Sequence, residues 1–396
     1  MPSSSTEWPK LYDKKAPVAP LGIIALEGSK ELAGLIDRHL VAQRMSYAKQ
    51  HPEEVDNGFI KDSKDSFLIS CDCFRFADGS GKAVINESIR GMDIFIIADI
   101  GNYGCKFKMF GIDCPMSPDN HFQDIKRVIS AINGRAHRIA VIMPLLYGGR
   151  QHKRQARESL DCAVSLQELE RLQVENFYTF DAHDPRVQNA IPLTGFYNLY
   201  PTYQMVKAFL EKEQDLTFDK NKMLVVSPDE GGMGRSIYYG TVLGLNVGMF
   251  YKRRDFTRIV NGKNPIVQHE FLGEEVEGKD ILIVDDMIAS GESTLDIARE
   301  LKRRKARRIF IAVTFALFTE GTASFQAAYE AGIINRVYGT NLTYFHGSPA
   351  DLPWFVSVDM SEFIAYMIDI LNHDESISPL FDQSKKIGDF LKKIQR

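Results

Sequence analysis

Ile281-Leu282-Ile283-Val284-Asp285-Asp286-Met287-Ile288-Ala289-Ser290-Gly291-Glu292-Ser293-Thr294 is the stretch on which the fold turns. Its first four residues are apolar and three of them are β-branched, which suits a short buried strand. Two adjacent carboxylates end that strand, small and hydroxyl residues follow, and Leu295, Ala298 and Leu301 then share one face of a helix predicted over 295–304. The first N–H groups of a helix have no intrahelical acceptor, and the dipole adds positive character there. A loop so placed favours an anion of phosphate size. Ser290, Ser293 and Thr294 can add hydroxyl donors, and Asp285 and Asp286 stand where sugar hydroxyls could bond. An ordinary strand, turn and helix would explain the apolar pattern but not the double Asp followed by the hydroxyl run.

Away from this stretch, strand-like and helix-like segments alternate, the order of an α/β fold with mostly parallel sheets flanked by helices. Strands are expected at Leu21–Leu26, Ile94–Asp99, Arg138–Met143, Phe177–Phe180, Met223–Ser227, Ile281–Val284 and Arg308–Thr314. Helices are expected at His121–Ile132, Ser165–Gln173, Thr202–Glu211, Leu295–Arg304 and Ser361–Leu371. Two similar halves are divided near Tyr200-Pro201: an N-terminal half over 1–200, a C-terminal half over 201–375, and a segment 376–396 that docks on the body. The polar stretch from about His51 to Ser66 reads as an exposed insertion.

Three further segments follow apolar strands. Leu224-Val225-Val226-Ser227-Pro228-Asp229-Glu230-Gly231-Gly232-Met233-Gly234-Arg235 runs a strand into a carboxylate and a glycine-rich turn, where backbone can approach a ligand closely. Taken alone it could be a tight turn with a capping Asp. Phe180-Asp181-Ala182-His183-Asp184 sets a histidine between carboxylates. One imidazole and one carboxylate could share a divalent cation with nucleotide phosphates, since Mg²⁺ takes few protein ligands. A lone histidine would more often be structural. Gly148-Gly149-Arg150-Gln151-His152-Lys153-Arg154-Gln155-Ala156-Arg157 places four cations after flexible glycines, which suits a clamp on a polyphosphate as well as a solvated loop. The cations over 302–308 follow a predicted helix and match its C-terminal dipole.

Composition sets the outer limits. The 396 residues can hold two sizeable cores, and the net charge of −4 gives no general attraction to nucleic acid or acidic membranes. No apolar run has the length of a membrane span, and the N-terminal residues lack the apolar core of a signal peptide. The five cysteines lack C-x-x-C spacing, so a zinc site at Cys71 and Cys73 is less favoured than reduced thiols in a cytoplasmic protein. No G-x-x-x-x-G-K-[ST] is present, which excludes a P-loop kinase at motif level.

In this order the motifs resemble those of the ribose-phosphate pyrophosphokinases, whose halves have the type I phosphoribosyltransferase fold. The resemblance spans about Phe74 to Phe381. Asp285 to Thr294 is similar to the phosphoribosyl-binding loop, Ser227-Pro228-Asp229-Glu230-Gly231-Gly232 to the Ser-Pro-Asp-x-Gly-Gly turn, and Asp181-Ala182-His183 to a metal-binding Asp-Leu-His segment. Arg150-Gln151-His152-Lys153-Arg154 resembles an Arg-Gln-Asp-Lys-Lys nucleotide loop, and Phe76-Ala77-Asp78-Gly79 a segment that holds adenine from a neighbouring subunit. Tyr251-Lys252-Arg253-Arg254 matches the segment whose Lys and Arg are catalytic. The resemblance implies transfer of the β,γ-diphosphoryl group of ATP to the C1 hydroxyl of ribose 5-phosphate. Lys252 and Arg254 would be catalytic; Phe76, Asp78, Arg150, Gln151 and Lys153 would bind ATP. His183 and Asp229 would hold Mg²⁺, and Asp285, Asp286, Ala289, Ser290, Gly291, Glu292, Ser293 and Thr294 would hold ribose 5-phosphate. It also implies a homo-oligomer built from dimers, up to a hexamer, with no nucleic-acid or membrane partner.

The sequence departs from the family pattern at four positions. Ala289 stands where the synthetases usually have Asp, Glu292 replaces a glycine beside the expected phosphate, Ser80 replaces a Glu, and His152 replaces an Asp. Two other readings follow: a catalytically silent regulatory paralogue, which such departures would suit, and a phosphoribosyltransferase that consumes the activated sugar. The second would use the same 285–294 loop but is expected to lack the Arg150–Arg157 clamp and the two-half layout.

Overall fold

The computed structural model describes residues 16–50, 65–154, 156–254 and 266–394, with the side chains of 252–254, 266–269 and 394 excepted. The stretch expected as an exposed insertion falls outside the described residues over 51–64. The chain forms two compact units. One comprises the residues up to Tyr200 with Met360–Asp382, and the other Pro201–Asp359 with Gln383–Arg396.

The first unit is built on five parallel strands, Leu21–Ala25, Asp93–Ile97, Arg138–Ile142, Asn176–Phe180 and Gly195–Leu199, adjacent in that order. Asp93–Ile97 is buried throughout, so the run reads as uninterrupted apolar residues after its first position. Asp93 is matched across the ladder with Arg138, whose guanidinium donates to both carboxylate oxygens at 2.8 and 2.6 Å. Two hairpins, Cys71–Arg75 with Gly81–Ile85 and Lys106–Met109 with Ile112–Pro115, stand apart from this sheet.

The second unit carries a seven-stranded sheet in the order Ile266–Leu272, Asn246–Arg254, Met223–Ser227, Asp280–Ile288, Arg308–Ala316, Arg336–Thr340 and Phe355–Val358. All neighbours are parallel except the edge pair formed by Ile266–Leu272 and Asn246–Arg254. Leu224, Val226, Ile281 and Ile283 face one apolar layer, while Val225, Leu282 and Val284 face the other. Both faces are therefore covered, as a parallel sheet flanked by helices requires. Asp280 pairs in register with Arg308, which holds its carboxylate at 3.1 and 2.9 Å.

The helix Ser361–Asn372 corrects the expected division. Its residues belong to the first unit, not to a C-terminal half over 201–375. The cause lies in packing: Arg44 donates to buried Asp369 at 2.9 Å and to Asn372 at 2.8 Å, and Phe363 meets Phe180 edge-on at 5.8 Å. The expected terminal segment 376–396 is likewise split. Residues up to Asp382 stay with the first unit, while Ile387 of the helix Ser384–Ile394 is buried in the second.

Candidate functional site

In the second unit, the decisive strand extends over Asp280–Ile288, past both carboxylates, because Asp285 and Met287 continue the ladder against Val313 and Phe315. The helix begins at Glu292, three residues before its predicted start, so only Ala289, Ser290 and Gly291 form the loop. Gly291 caps the helix at φ 86°, and a Cβ there would lie 2.2 Å from Phe325 Cε2. Only glycine meets both demands without strain. The Leu295 N–H donates to the Gly291 carbonyl at 3.0 Å, leaving the N–H groups of Glu292, Ser293 and Thr294 ahead of the first intrahelical bond. From behind, the N–H groups of Leu317 and Thr319 donate to the carbonyls of Ile288 and Ala289 at 2.9 and 3.0 Å. The loop is thus built as an anion cradle. Glu292 is exposed, so its carboxylate faces solvent while its backbone remains in the cradle.

Asp286 is buried and Asp285 half-buried. Burial and the charge of Asp286 push the Asp285 carboxyl well above the usual carboxylate range, and Arg235, 3.6 Å away, opposes them. Arg235 closes the glycine-rich motif, but nothing in its spacing assigned it a role. It lies fifty residues upstream, in the first turn of the helix Met233–Leu243. The preceding turn has the expected tight form: Ser227 Oγ donates to the Asp229 carbonyl at 2.7 Å, and the Gly232 N–H donates to Asp229 Oδ1 at 3.1 Å. A Cβ on Gly232 would come within 2.9 Å of Ser227 Oγ.

Met223–Ser227 lies between Asp280–Ile288 and Asn246–Arg254, parallel to both. The Ser-Pro-Asp turn, the double Asp and the backbone of Lys252 and Arg254 are therefore brought to the same carboxyl edge of one sheet, where α/β folds place ligands. The side chains of Lys252 and Arg254 lie outside the described residues.

In the first unit the adjacent strands Arg138–Ile142 and Asn176–Phe180 lead into the basic segment and the Asp-Ala-His segment. Gly148, at φ 66°, presses on the start of the helix Asp161–Arg171, where a Cβ would meet Cys162 N at 2.8 Å. Beyond it Arg150, Gln151, Lys153 and Arg154 are all exposed. His152 is the exception: its Nε2 lies 3.5 Å from Asp184 Oδ2, and its ring centroid lies 5.4 Å from that of His183. Asp184 accepts from Arg186 Nε at 2.9 Å and from its Nη2 at 2.5 Å, which holds its carboxyl well below the usual range. Asp181 has φ 44°, and the Ala182 N–H donates to Asn198 Oδ1 at 2.8 Å, presenting His183 at an exposed corner.

Phe76 and Asp78 lie apart from those loops, at the tip of the Cys71–Ile85 hairpin. Ser80 donates its hydroxyl and N–H to Asp78 at 2.7 and 3.0 Å, which lowers the Asp78 pKa. The Phe76 side chain is 54% exposed. Among the described residues no group of three or more His, Cys, Asp or Glu side chains forms a metal site. His183 stands in the first unit and Asp229 in the second, each with one donor of a type that Mg²⁺ accepts when phosphate and water complete its shell.

A model of the N-terminal domain of ribose phosphate pyrophosphokinase matches residues 21–172, and a phosphoribosyl transferase domain model matches 197–324. The two matches follow one another along the chain. The chain is similar to the ribose-phosphate pyrophosphokinases over most of its length. It is 28% identical over 316 residues to ribose-phosphate pyrophosphokinase of Vibrio parahaemolyticus, covering 78% of this chain and 90% of that one. With the Pasteurella multocida enzyme it shares 29% identity over 315 residues, covering 78% and 89%. The fold is similar to that of phosphoribosylpyrophosphate synthetase from Mycobacterium smegmatis, with a TM-score of 0.68, 19% identity, and coverage of 90% and 99%. Both halves of the fold expectation, parallel sheets and paired phosphoribosyltransferase-like domains, agree with that likeness.

Proposed function

We propose that this chain is a ribose-phosphate diphosphokinase, making 5-phosphoribosyl 1-diphosphate and AMP from ribose 5-phosphate and ATP. One observation carries the reading furthest: the Asp285–Thr294 cradle, the Asp229 turn and the Lys252–Arg254 backbone leave neighbouring strands at one sheet edge. The transferase alternative leaves the first unit without a role, and no residue contact favours a silent paralogue over an active enzyme.

The N–H groups and hydroxyls of Ser290 to Thr294 bind the 5-phosphate, and Asp285 and Asp286 accept hydrogen bonds from the ribose hydroxyls. The C1 oxygen attacks the β-phosphorus, the bond from that phosphorus to the α,β-bridging oxygen breaks, and the C1 hydroxyl proton leaves to solvent. Such transfers need alignment and charge neutralisation more than covalent help. Lys252 and Arg254 neutralise charge developing on the transferred group, while Arg150, Gln151 and Lys153 hold the ATP phosphates. His183 and Asp229 are the residues that would hold Mg²⁺, which supplies further neutralisation on the phosphate oxygens. Phe76 offers an exposed aromatic face to adenine, and its place on a protruding hairpin suits donation to another copy in a dimer-based oligomer. The five cysteines are free thiols, in keeping with a cytoplasmic protein, and among the described residues no helix is long and apolar enough to cross a membrane.

Purified protein incubated with ribose 5-phosphate and Mg-ATP is expected to release AMP only when the sugar phosphate is present. The Lys252→Ala variant should lose at least about 100-fold in rate, the scale of one lost transition-state charge contact. Ribose 5-phosphate binding without any AMP release would sink the reading.

A further inference from the structure

We propose that Arg235 is a positioning residue, which holds the Asp285 carboxylate oriented toward a sugar hydroxyl at the ribose 5-phosphate site. The inference deepens the proposed function and rests on it. Arg235 Nη1 stands 3.6 Å from Asp285 Oδ1, with the two side chains 11% and 22% exposed. That separation is an ion pair rather than a hydrogen bond, so the carboxylate keeps lone pairs for another donor. The Asp285 backbone pairs with Val313 in the sheet, while the carboxylate faces the helix that follows the Ser-Pro-Asp turn. One guanidinium therefore ties the double-Asp strand to the neighbouring turn.

A purely structural ion pair would be the simpler account, but it leaves Asp285 unexplained. Two adjacent carboxylates at a half-buried strand end repel each other, and Asp286 has the more buried position. Burial and the Asp286 carboxylate favour protonation of Asp285, while Arg235 and the Asp286 N–H, which donates to Asp285 Oδ1 at 2.9 Å, favour its ionised form. Without the guanidinium, the first carboxyl would protonate more readily still or turn away, and a protonated carboxyl has lost half its accepting capacity. Nothing in this role touches the 5-phosphate. That phosphate is read by the loop and helix start, whose geometry comes from Gly291, Phe325 and the Leu317 and Thr319 N–H groups. Loss of Arg235 should therefore separate sugar recognition from phosphate recognition.

Calorimetric titration with ribose 5-phosphate and, separately, inorganic phosphate tests this in the full chain. Arg235→Gln is expected to weaken ribose 5-phosphate by about 10- to 30-fold, the range for a charge-assisted hydrogen bond, and phosphate by less than about twofold. The charge-keeping Arg235→Lys variant should recover most of that loss. With Asp285→Asn already present, Arg235→Gln should cost less than about twofold more, because coupled residues are not additive. Equal weakening of both ligands, or a full loss that persists beside Asp285→Asn, would overturn the positioning role. So would a Lys variant that melts like wild type yet binds the sugar phosphate as poorly as the Gln variant. Wild-type protein that binds neither ligand would instead overturn the reading of the loop itself, and the role of Arg235 with it.

Discussion

The loop proposed for ribose 5-phosphate and the basic segment proposed for ATP both follow strands at the carboxyl edges of parallel sheets, yet only the first is fixed by the fold. In the second unit the loop is three residues long, fixed by a left-handed glycine against Phe325 and bonded from behind by two N–H groups. In the first unit the corresponding basic segment is exposed beyond Gly148, and the aromatic of the adenine segment stands on a hairpin tip. A phosphate can be read by backbone N–H groups, which must be placed by the fold. A nucleotide triphosphate is larger and more highly charged, and long side chains can gather around it on binding at an entropic cost. The difference is between a site stored in the backbone and a site stored in side chains. Both sheets nonetheless share one device at the opposite edge, an Asp at the head of a strand paired in register with an Arg of its neighbour: Asp93 with Arg138, and Asp280 with Arg308.

Gly291→Ala should break the comparison most severely. The added Cβ would sit 2.2 Å from Phe325 Cε2 on a backbone held at φ 86°. Left-handed strain and overpacking each cost on the order of 1–3 kcal/mol. The expected result is a loss of about 2–4 kcal/mol in chemical denaturation, read as a lower midpoint, together with loss of ribose 5-phosphate binding by about 100-fold or more. Wild-type stability with normal sugar-phosphate affinity would show that the cradle is not stored in the backbone. Arg150→Ala gives the contrasting outcome for the other site. Arg150 is exposed and carries no buried contact, so the melting temperature should stay within about 1 °C while KM for ATP rises roughly tenfold. A variant that unfolds more readily, with an unchanged KM, would place Arg150 in the scaffold.

The same contrast governs what the sequence made legible. The run Ile281–Val284 and the helical face of Leu295, Ala298 and Leu301 were readable because burial imposes an apolar pattern with a definite period. Their boundaries were not. Asp285 and Asp286 extend the strand because sheet pairing overrides their low strand propensity, and the helix starts at Glu292 because Gly291, not a Ser, takes the cap position. The strand Asn246–Arg254 was not among those expected, since Gly248 interrupts its apolar pattern where the backbone meets Phe271 closely. The pairing of Arg235 with Asp285 was hidden, for an ion pair across fifty residues leaves no mark on local spacing. The return of Ser361–Asn372 to the first unit was equally hidden, because its partners Arg44 and Phe180 lie far upstream. Chemistry written along one strand can be read directly, whereas chemistry assembled between strands requires the fold.

Glu292 offers the finest test, because it is the departure that should matter most if phosphate recognition depended on side-chain charge. It replaces a glycine at the first helical position, beside the expected dianion. Simple Coulomb repulsion of a dianion by a carboxylate at about 5 Å would cost roughly 1.7 kcal/mol in unscreened water and several times that in a dry site. Its side chain is exposed, so the aqueous limit applies, and salt at physiological strength weakens the repulsion further. Glu292→Gln is therefore expected to tighten ribose 5-phosphate by up to about tenfold at low ionic strength, and by less than about twofold at 0.5 M salt. Tightening by tenfold or more that persists in high salt would mean that the side chain turns into the cradle. The backbone N–H groups would then no longer suffice to explain phosphate binding.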